Sequence, residues 1–312
     1  MAQGEVFVGV DVSKDWLDVA VWPAGQTARV ANDRAGRGEL TRRLKRLGDL
    51  QAVGFEASGG YERGLLKALL DAGLPARRLN PVRVRRFAEA CGLLAKNDRI
   101  DAAVIARFCA TLPGRLAERN AAADALAELV TARRQLCEEM TRAANQGQHA
   151  GQPLLKRLAG RRASRLAQDI RTLDAAIAKA VAADPDLAAK DALIRSVPCV
   201  GPVLSHTLLG LMPELGSLSN RAAAALLGVA PFDRDSGTFK GQRRIAGGRQ
   251  PVRDVAYMAA LVGARCNPTL AAFKKRLQDA GKRPKVILVA LMRKLITILN
   301  AILRDQLPWA VT

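Results

Sequence analysis

The chain lacks the residue spacing that zinc or disulfide chemistry needs. Its five cysteines (Cys91, Cys109, Cys137, Cys199, Cys266) are scattered with no C-x-x-C pair, and only His149 and His206 accompany them. Neither a zinc site nor a disulfide framework is expected. Aromatic residues make up 4% of 312 positions, too few for base stacking to dominate any binding surface. No run of eighteen apolar residues occurs, and MAQGEVFVGV has no basic stretch leading into a long apolar one, so the expectation is a cytoplasmic protein with no membrane partner. Acidic charge is also short: 29 Asp and Glu stand against 49 Lys and Arg, a net +20. That imbalance implies a polyanionic partner, and its spread over several segments fits an extended nucleic-acid path better than a single tail.

What is present is ordered in three parts. Residues 6–12 and 16–22 are β-branched and apolar around the polar break Ser13, Lys14, Asp15, which predicts a hairpin. A third strand near Arg29–Asn32, a helix over 38–47 and a fourth strand over 52–56 follow. The Gly59-Gly60 turn then leads to a helix carrying Leu65, Leu66, Leu69 and Leu70. A short run to Asn80, a break at Pro81 and a basic helix through Arg83, Arg85 and Arg86 come next. Three strands and then alternating helix and strand is the order of a ribonuclease-H-like α/β domain with a mixed sheet. From about Leu116 to Gln146 no proline interrupts apolar positions recurring at helical period. A second such stretch carries Leu166, Ile170, Leu173, Ile177 and Val181. Two long amphipathic helices are predicted, the first reaching roughly 45 Å at 1.5 Å per residue, an antiparallel arm for partner chains. From Asp191 short helices punctuated by proline and glycine indicate a mainly helical domain. Its opening, SVPCVGPVLSHTLL, has a helix-hairpin-helix layout, whose turn faces a phosphate. The expected domains are therefore 1–113, 114–190 and 191–312.

The acidic residues that remain are informative by position. Asp11 in VFVGVDVS and Glu56 in AVGFEASGGYE each close a predicted strand, while Asp98 and Asp101 in KNDRIDA lie three apart on a predicted helix, hence on one face. Carboxylates pointing inward from such places repel one another and lose hydration unless a hard cation neutralises them. Mg²⁺ is the natural candidate, with two ions roughly 4 Å apart activating an attacking oxygen and steadying a leaving one. Both hydrolysis and strand transfer fit. Asp15 and Asp18 read as hairpin surface, and Glu62 as opening a helix near the site.

These segments resemble a known family. GVDVSKDWLDVAV, GFEASGGYERGL and KNDRIDAAVIARF look like the N-terminal motifs of the DEDD transposases of bacterial insertion sequences, the Piv-like recombinases of the IS-one-ten group. LLGVAPFDRDSGTFKGQRRIAGGRQPVRDVAYMAAL looks like the C-terminal motif of that family. The resemblance implies a RuvC-like domain whose metal-binding, catalytic tetrad is Asp11, Glu56, Asp98 and Asp101, then a coiled coil, then a transposase domain with a nucleophilic serine. Ser236 falls at the serine position, although on chemistry alone a Ser-Gly pair in such a loop reads as a turn. The implied reaction is attack by its hydroxyl on a phosphodiester, giving a covalent phosphoserine that another strand's hydroxyl resolves. Also implied are donor and target duplex DNA, a structured guide RNA, and a homo-oligomer between dimer and tetramer.

Basic residues near these motifs are candidate phosphate contacts, because the planar fork of arginine matches phosphate oxygens. Lys240, Arg243, Arg244, Arg249 and Arg253 follow Ser236 closely, and Arg77, Arg78, Arg83, Arg85 and Arg86 precede the last tetrad members. One departure from the helix-hairpin-helix pattern is Cys199, which stands where a glycine is usual; a positive φ there would strain it. Two rival readings stay open: a metal-dependent nuclease or junction resolvase that uses water, and a non-catalytic nucleic-acid-binding protein.

Overall fold

The computed structural model describes residues 4–57, 59–93, 98–118, 120–232, 235–236, 239–241 and 243–310, without the side chains of 98–100, 235–236 and 239–240. The chain divides into two compact units, Met1–Arg119 and Asn120–Thr312.

In the first unit, strands β1 (Val6–Val12), β2 (Trp16–Trp22) and β3 (Thr27–Ala31) lead to helix α1 (Arg34–Leu44). Strand β4 (Leu50–Glu56), helix α2 (Arg63–Asp71), strand β5 (Ala76–Leu79) and helices α3 (Pro81–Ala90) and α4 (Asp98–Thr111) follow. The five strands form one mixed sheet in the order β3-β2-β1-β4-β5. β1 is antiparallel to β2 and parallel to β4. Period-two alternation decides what each face buries. Val8, Val10, Leu17, Val19, Val53 and Phe55 pack with Leu40 and Leu44 of α1 and Leu65 and Leu69 of α2. On the other face Ala52 and Leu79 pack with Val84 of α3 and with Val104, Ile105, Phe108 and Cys109 of α4.

The hairpin strands lie where their apolar runs predict. Local capping moves two other boundaries. α1 starts at Arg34, four residues ahead of the expected start, because the Asp33 side chain accepts the Gly36 N–H at 2.7 Å. Pro81 opens α3 instead of breaking the chain, with the Asn80 side chain accepting the Val82 N–H at 2.9 Å. Two paired glycines, Gly9 of β1 and Gly54 of β4, allow α4 to lie directly on the sheet. A Cβ at Gly9 would run into the Ala102 carbonyl oxygen and the Ala106 nitrogen, and one at Gly54 into the Cys109 sulfur.

The second unit is helical. α5 (Ala121–His149) and α6 (Pro153–Ala183) form a long hairpin; α7 (Pro185–Arg195), α8 (Pro202–Leu211) and α9 (Asn220–Leu227) follow. Four two-residue strands come next: β6 (Pro231–Phe232), β7 (Asp235–Ser236), β8 (Phe239–Lys240) and β9 (Arg244–Ile245). Then come α10 (Gln250–Cys266), α11 (Pro268–Asp279) and α12 (Pro284–Asp305). α5 begins at Ala121, not at Leu116: the Asn120 side chain caps it by accepting the Ala123 N–H at 2.9 Å, and the Ala117 N–H donates to the Ala76 carbonyl instead. Proline supplies several further starts, since α6, α7, α8, α11 and α12 each open on one. Leu126 and Val130 of α5 and Ile177 and Val181 of α6 join the core of this unit. α12 alone among the described helices is long and apolar enough to cross a membrane, and half of its apolar stretch is buried in the protein. Leu291, Leu295 and Leu299 are part of that core.

Candidate active site

Asp11 and Glu56 stand at the carboxyl ends of β1 and β4, which pair in parallel through Val10 and Phe55. Each is two residues beyond a glycine on which α4 rests, so by alternation both side chains project from the face that α4 covers. The direction of α4 follows from its neighbours. Ala102 and Ala106 lie over Gly9, while Arg107 sits 5.9 Å from the ring of Trp22, the partner of Phe7 near the other end of β1. The helix therefore runs back along β1, and its first turn, with Asp98 and Asp101, lies toward Asp11. The side chain of Asp98 lies outside the described residues.

Among the described residues no group of three Asp, Glu, His or Cys side chains stands close enough to hold a metal ion, a set from which Asp98 is missing. The donor chemistry fits a hard divalent cation all the same: carboxylate oxygens only, from two strand ends and a helix start, with neither sulfur nor imidazole among the expected ligands.

The reading of Asp18 as hairpin surface is overturned. Asp18 is 5% exposed. It lies directly across from Asp11 on one side and from Arg29 on the other. Arg29 grips it with two hydrogen bonds of 2.8 Å, from Nε and Nη2. Two carboxylates facing each other across a sheet repel, and the guanidinium offsets the inner one. The signal was present in β2, where Asp18 is the polar residue between Leu17 and Val19; the three-residue turn sets it opposite Asp11. Glu62 at the start of α2 is 1% exposed, accepting from Arg78 at 2.6 Å and from the Gly60 N–H at 2.8 Å.

The arginines of this unit divide by burial. Arg77 is 5% exposed, its Nη1 donating to the carbonyls of Cys109 (3.3 Å) and Leu112 (2.7 Å), with the Phe108 ring 5.7 Å away. It ties α4 to β5 and does not face a nucleic-acid strand. Arg78 is half exposed but paired with Glu62. Arg83, Arg85 and Arg86 lie on the exposed side of α3, Arg85 bonded to Glu89 at 3.4 Å. Burial pushes the Cys109 thiol up to about 11, with Arg77 opposing in part, so that thiol is no nucleophile at neutral pH.

In the second unit Ser236 is in β7, its backbone paired with Phe239 of β8; its side chain and that of Lys240 lie outside the described residues. Arg243 and Arg244 are exposed. Arg249 is held by Glu214 through two hydrogen bonds of 2.6 Å and by the Leu211 carbonyl at 2.8 Å, and Arg253 donates to the Gly247 carbonyl at 2.6 Å. Of the four candidate phosphate contacts after Ser236 with described side chains, Arg243 and Arg244 are exposed, while Arg249 and Arg253 brace the loop. In the turn between α7 and α8, Cys199 has φ +88°, the strained conformation that its place in the motif raised. Burial and the neighbouring Cys266 push its thiol up to about 11.

Two family models match the chain, the first running from the first unit through α5 of the second. The DEDD_Tnp_IS110 family model, described as a transposase, matches residues 8–150. A second, described as Transposase IS116/IS110/IS902 family, matches residues 191–275. Pilin gene-inverting proteins of Moraxella bovis and Moraxella lacunata are each 26% identical over 98% of both chains. The insertion element IS900 uncharacterized 42 kDa protein of Mycobacterium paratuberculosis is 33% identical over 36% of this chain and 29% of its own. Among solved structures, the T. thermophilus RuvC in complex with a Holliday junction substrate aligns with 34% of this chain and 93% of its own, at 17% identity and a TM-score of 0.27.

Proposed function

Because the chain belongs to the IS116/IS110/IS902 transposase family, we propose that this DNA transposase cuts and rejoins DNA through a covalent phosphoserine on Ser236, acting with Asp11, Glu56, Asp98 and Asp101. The observation that carries the reading is the placement of Asp11 and Glu56 at the ends of paired parallel strands, on the face over which α4 begins. Asp11, Glu56, Asp98 and Asp101 would hold divalent cations, which we take to be two Mg²⁺, and such ions would stabilise the charge that builds on attacking and leaving oxygens.

The chain's own residues supply the rest. The Ser236 hydroxyl gives up its proton and its oxygen bonds to phosphorus, releasing one DNA end as a free hydroxyl. A hydroxyl of the incoming strand then attacks the phosphoserine and returns the serine, so the number of phosphodiester bonds is conserved. Exposed Arg243 and Arg244 approach the phosphates flanking the break, with Lys240, and Arg83, Arg85 and Arg86 extend the path in the first unit. The net charge of +20 supports simultaneous hold on donor and target DNA and on a structured guide RNA, which would read sequence by base pairing while the protein reads backbone. We assign residues 1–113 as a RuvC-like, ribonuclease-H-like domain, 114–190 as a coiled-coil arm that brings two to four copies together, and 191–312 as the serine-bearing domain.

The test is to trap the intermediate. The full chain is incubated with Mg²⁺, end-labelled DNA carrying the element's junction and RNA transcribed from the element's flanks, then denatured and resolved by size. Label stays on the protein, and Ser236→Ala reduces it by about a thousandfold or more. Ser217→Ala retains it, since that hydroxyl is engaged with the Glu214 carbonyl at 2.8 Å. Cleavage that persists undiminished in Ser236→Ala would assign the attack to water and overturn the serine.

A further inference from the structure

Trp16 is an exposed indole on the face that carries the carboxylates. It opens β2, two residues before Asp18 and thus on the same side of the sheet, roughly 7 Å along the strand. Asp18 in turn lies across from Asp11. Trp16 is 48% exposed, and its backbone is fixed: the Trp16 N–H donates to Ser13 Oγ at 3.1 Å, and the Ser13 N–H and Oγ–H both donate to the Trp16 carbonyl at 3.0 Å. Its ring is backed by the Arg29 guanidinium, 5.9 Å from the centroid, which is anchored by its two bonds to buried Asp18. About half of this residue stays exposed on a rigid turn, and covering its apolar surface would release free energy. Every nucleobase offers a flat face of matching shape, and an arginine-backed tryptophan is a strong platform for one.

We propose that Trp16, braced by Arg29, stacks on an unpaired DNA base next to the phosphate at which the strand is cut. The assignment rests on the carboxylate face being the cleavage site. Stacking splays the strand, presenting the adjacent phosphate edge-on to Asp11 and its neighbours. It also makes recognition tolerant of base identity. The scarcity of aromatics elsewhere sharpens the comparison, because Trp22, at the far end of the same strand, about 20 Å away, has the same partnership with Arg107 at 5.9 Å and serves as an internal control.

The test separates this contact from catalysis by omitting metal. Fluorescently labelled dT12 is titrated into the full chain in EDTA at about 0.3 M salt, where phosphate contacts are weakened. Trp16→Ala weakens binding about tenfold, Trp16→Phe less than threefold, and Trp22→Ala not at all. A dT12 in which abasic sites replace the bases binds wild type and Trp16→Ala equally. A dT12 carrying 5-iododeoxyuridine crosslinks to Trp16 on irradiation. Equal loss on dT12 and on the abasic strand, no loss, or a loss confined to the ribo-oligonucleotide U12 would overturn the proposal. Because no step requires metal or Ser236, the platform stands or falls separately from the phosphoserine.

Discussion

At Cys199 a side chain occupies backbone space that normally belongs to glycine. With φ at +88°, its Cβ crowds the following peptide, a conformation costing an L-residue roughly 1–2 kcal/mol. Cys199→Gly removes that strain and Cys199→Ala keeps it, while both lose the sulfur packed near Gly263. The glycine variant should therefore be more stable than the alanine variant by about 1 kcal/mol, read from urea midpoints at equal m-value. Equal midpoints would show that the turn relaxes on its own. This residue was legible in advance, since the motif demanded a glycine and had none. Arg77 was not: its neighbours in sequence are also arginines, and burial against the ends of α4 is what separates it from Arg83.

At the scale of elements the decisive contact is α4 on β1 and β4. Asp11 and Glu56 are fixed by strand pairing, but Asp101 reaches their face through a helix seated on bare backbone. Gly9→Ala puts a methyl against the Ala102 carbonyl and the Ala106 amide, neither of which can swing aside. The helix must lift or tilt, and a displacement on the order of 1 Å in a catalytic group costs about a hundredfold in rate. Cleavage by Gly9→Ala should drop by that factor or more, with a lower Tm and near-normal DNA affinity. Gly38→Ala, in α1 with open space around it, should instead stabilise by about 0.5–1 kcal/mol. If Gly9→Ala cleaves normally, α4 does not set the position of Asp101. The succession of strands and the hairpin were readable from the apolar runs and from the Ser13–Asp15 break. The start of α1 and the helical role of Pro81 were not, because each depends on one capping side chain.

For the molecule as a whole, the proposed function assigns charge and metal to different steps. A protein carrying +20 that contacts six to ten phosphates should lose roughly 10³–10⁵ in DNA affinity between 50 and 200 mM salt. If the carboxylates and not the phosphate path hold cations, as proposed, chelation by EDTA should abolish cleavage while leaving that binding in place. Fluorescence anisotropy and gel assays on the same samples separate the two. Affinity indifferent to salt would contradict the phosphate path, and cleavage in EDTA would contradict the carboxylate site.

The amino-acid order by itself determined the strand and helix sequence of the first unit, the long helical pair of the second and the positions from which four carboxylates could act. Periodicity, proline and charge are local properties that a single chain displays openly. Only the tertiary structure decided that Asp18 is buried across from Asp11, that Arg77 is structural and Arg249 braces its loop, and that Trp16 shares the carboxylate face. Those outcomes depend on cross-strand register and on which face a helix covers. They are set by contacts between residues far apart in sequence, where the same side chain can be solvated or interior with no change in its neighbours along the chain.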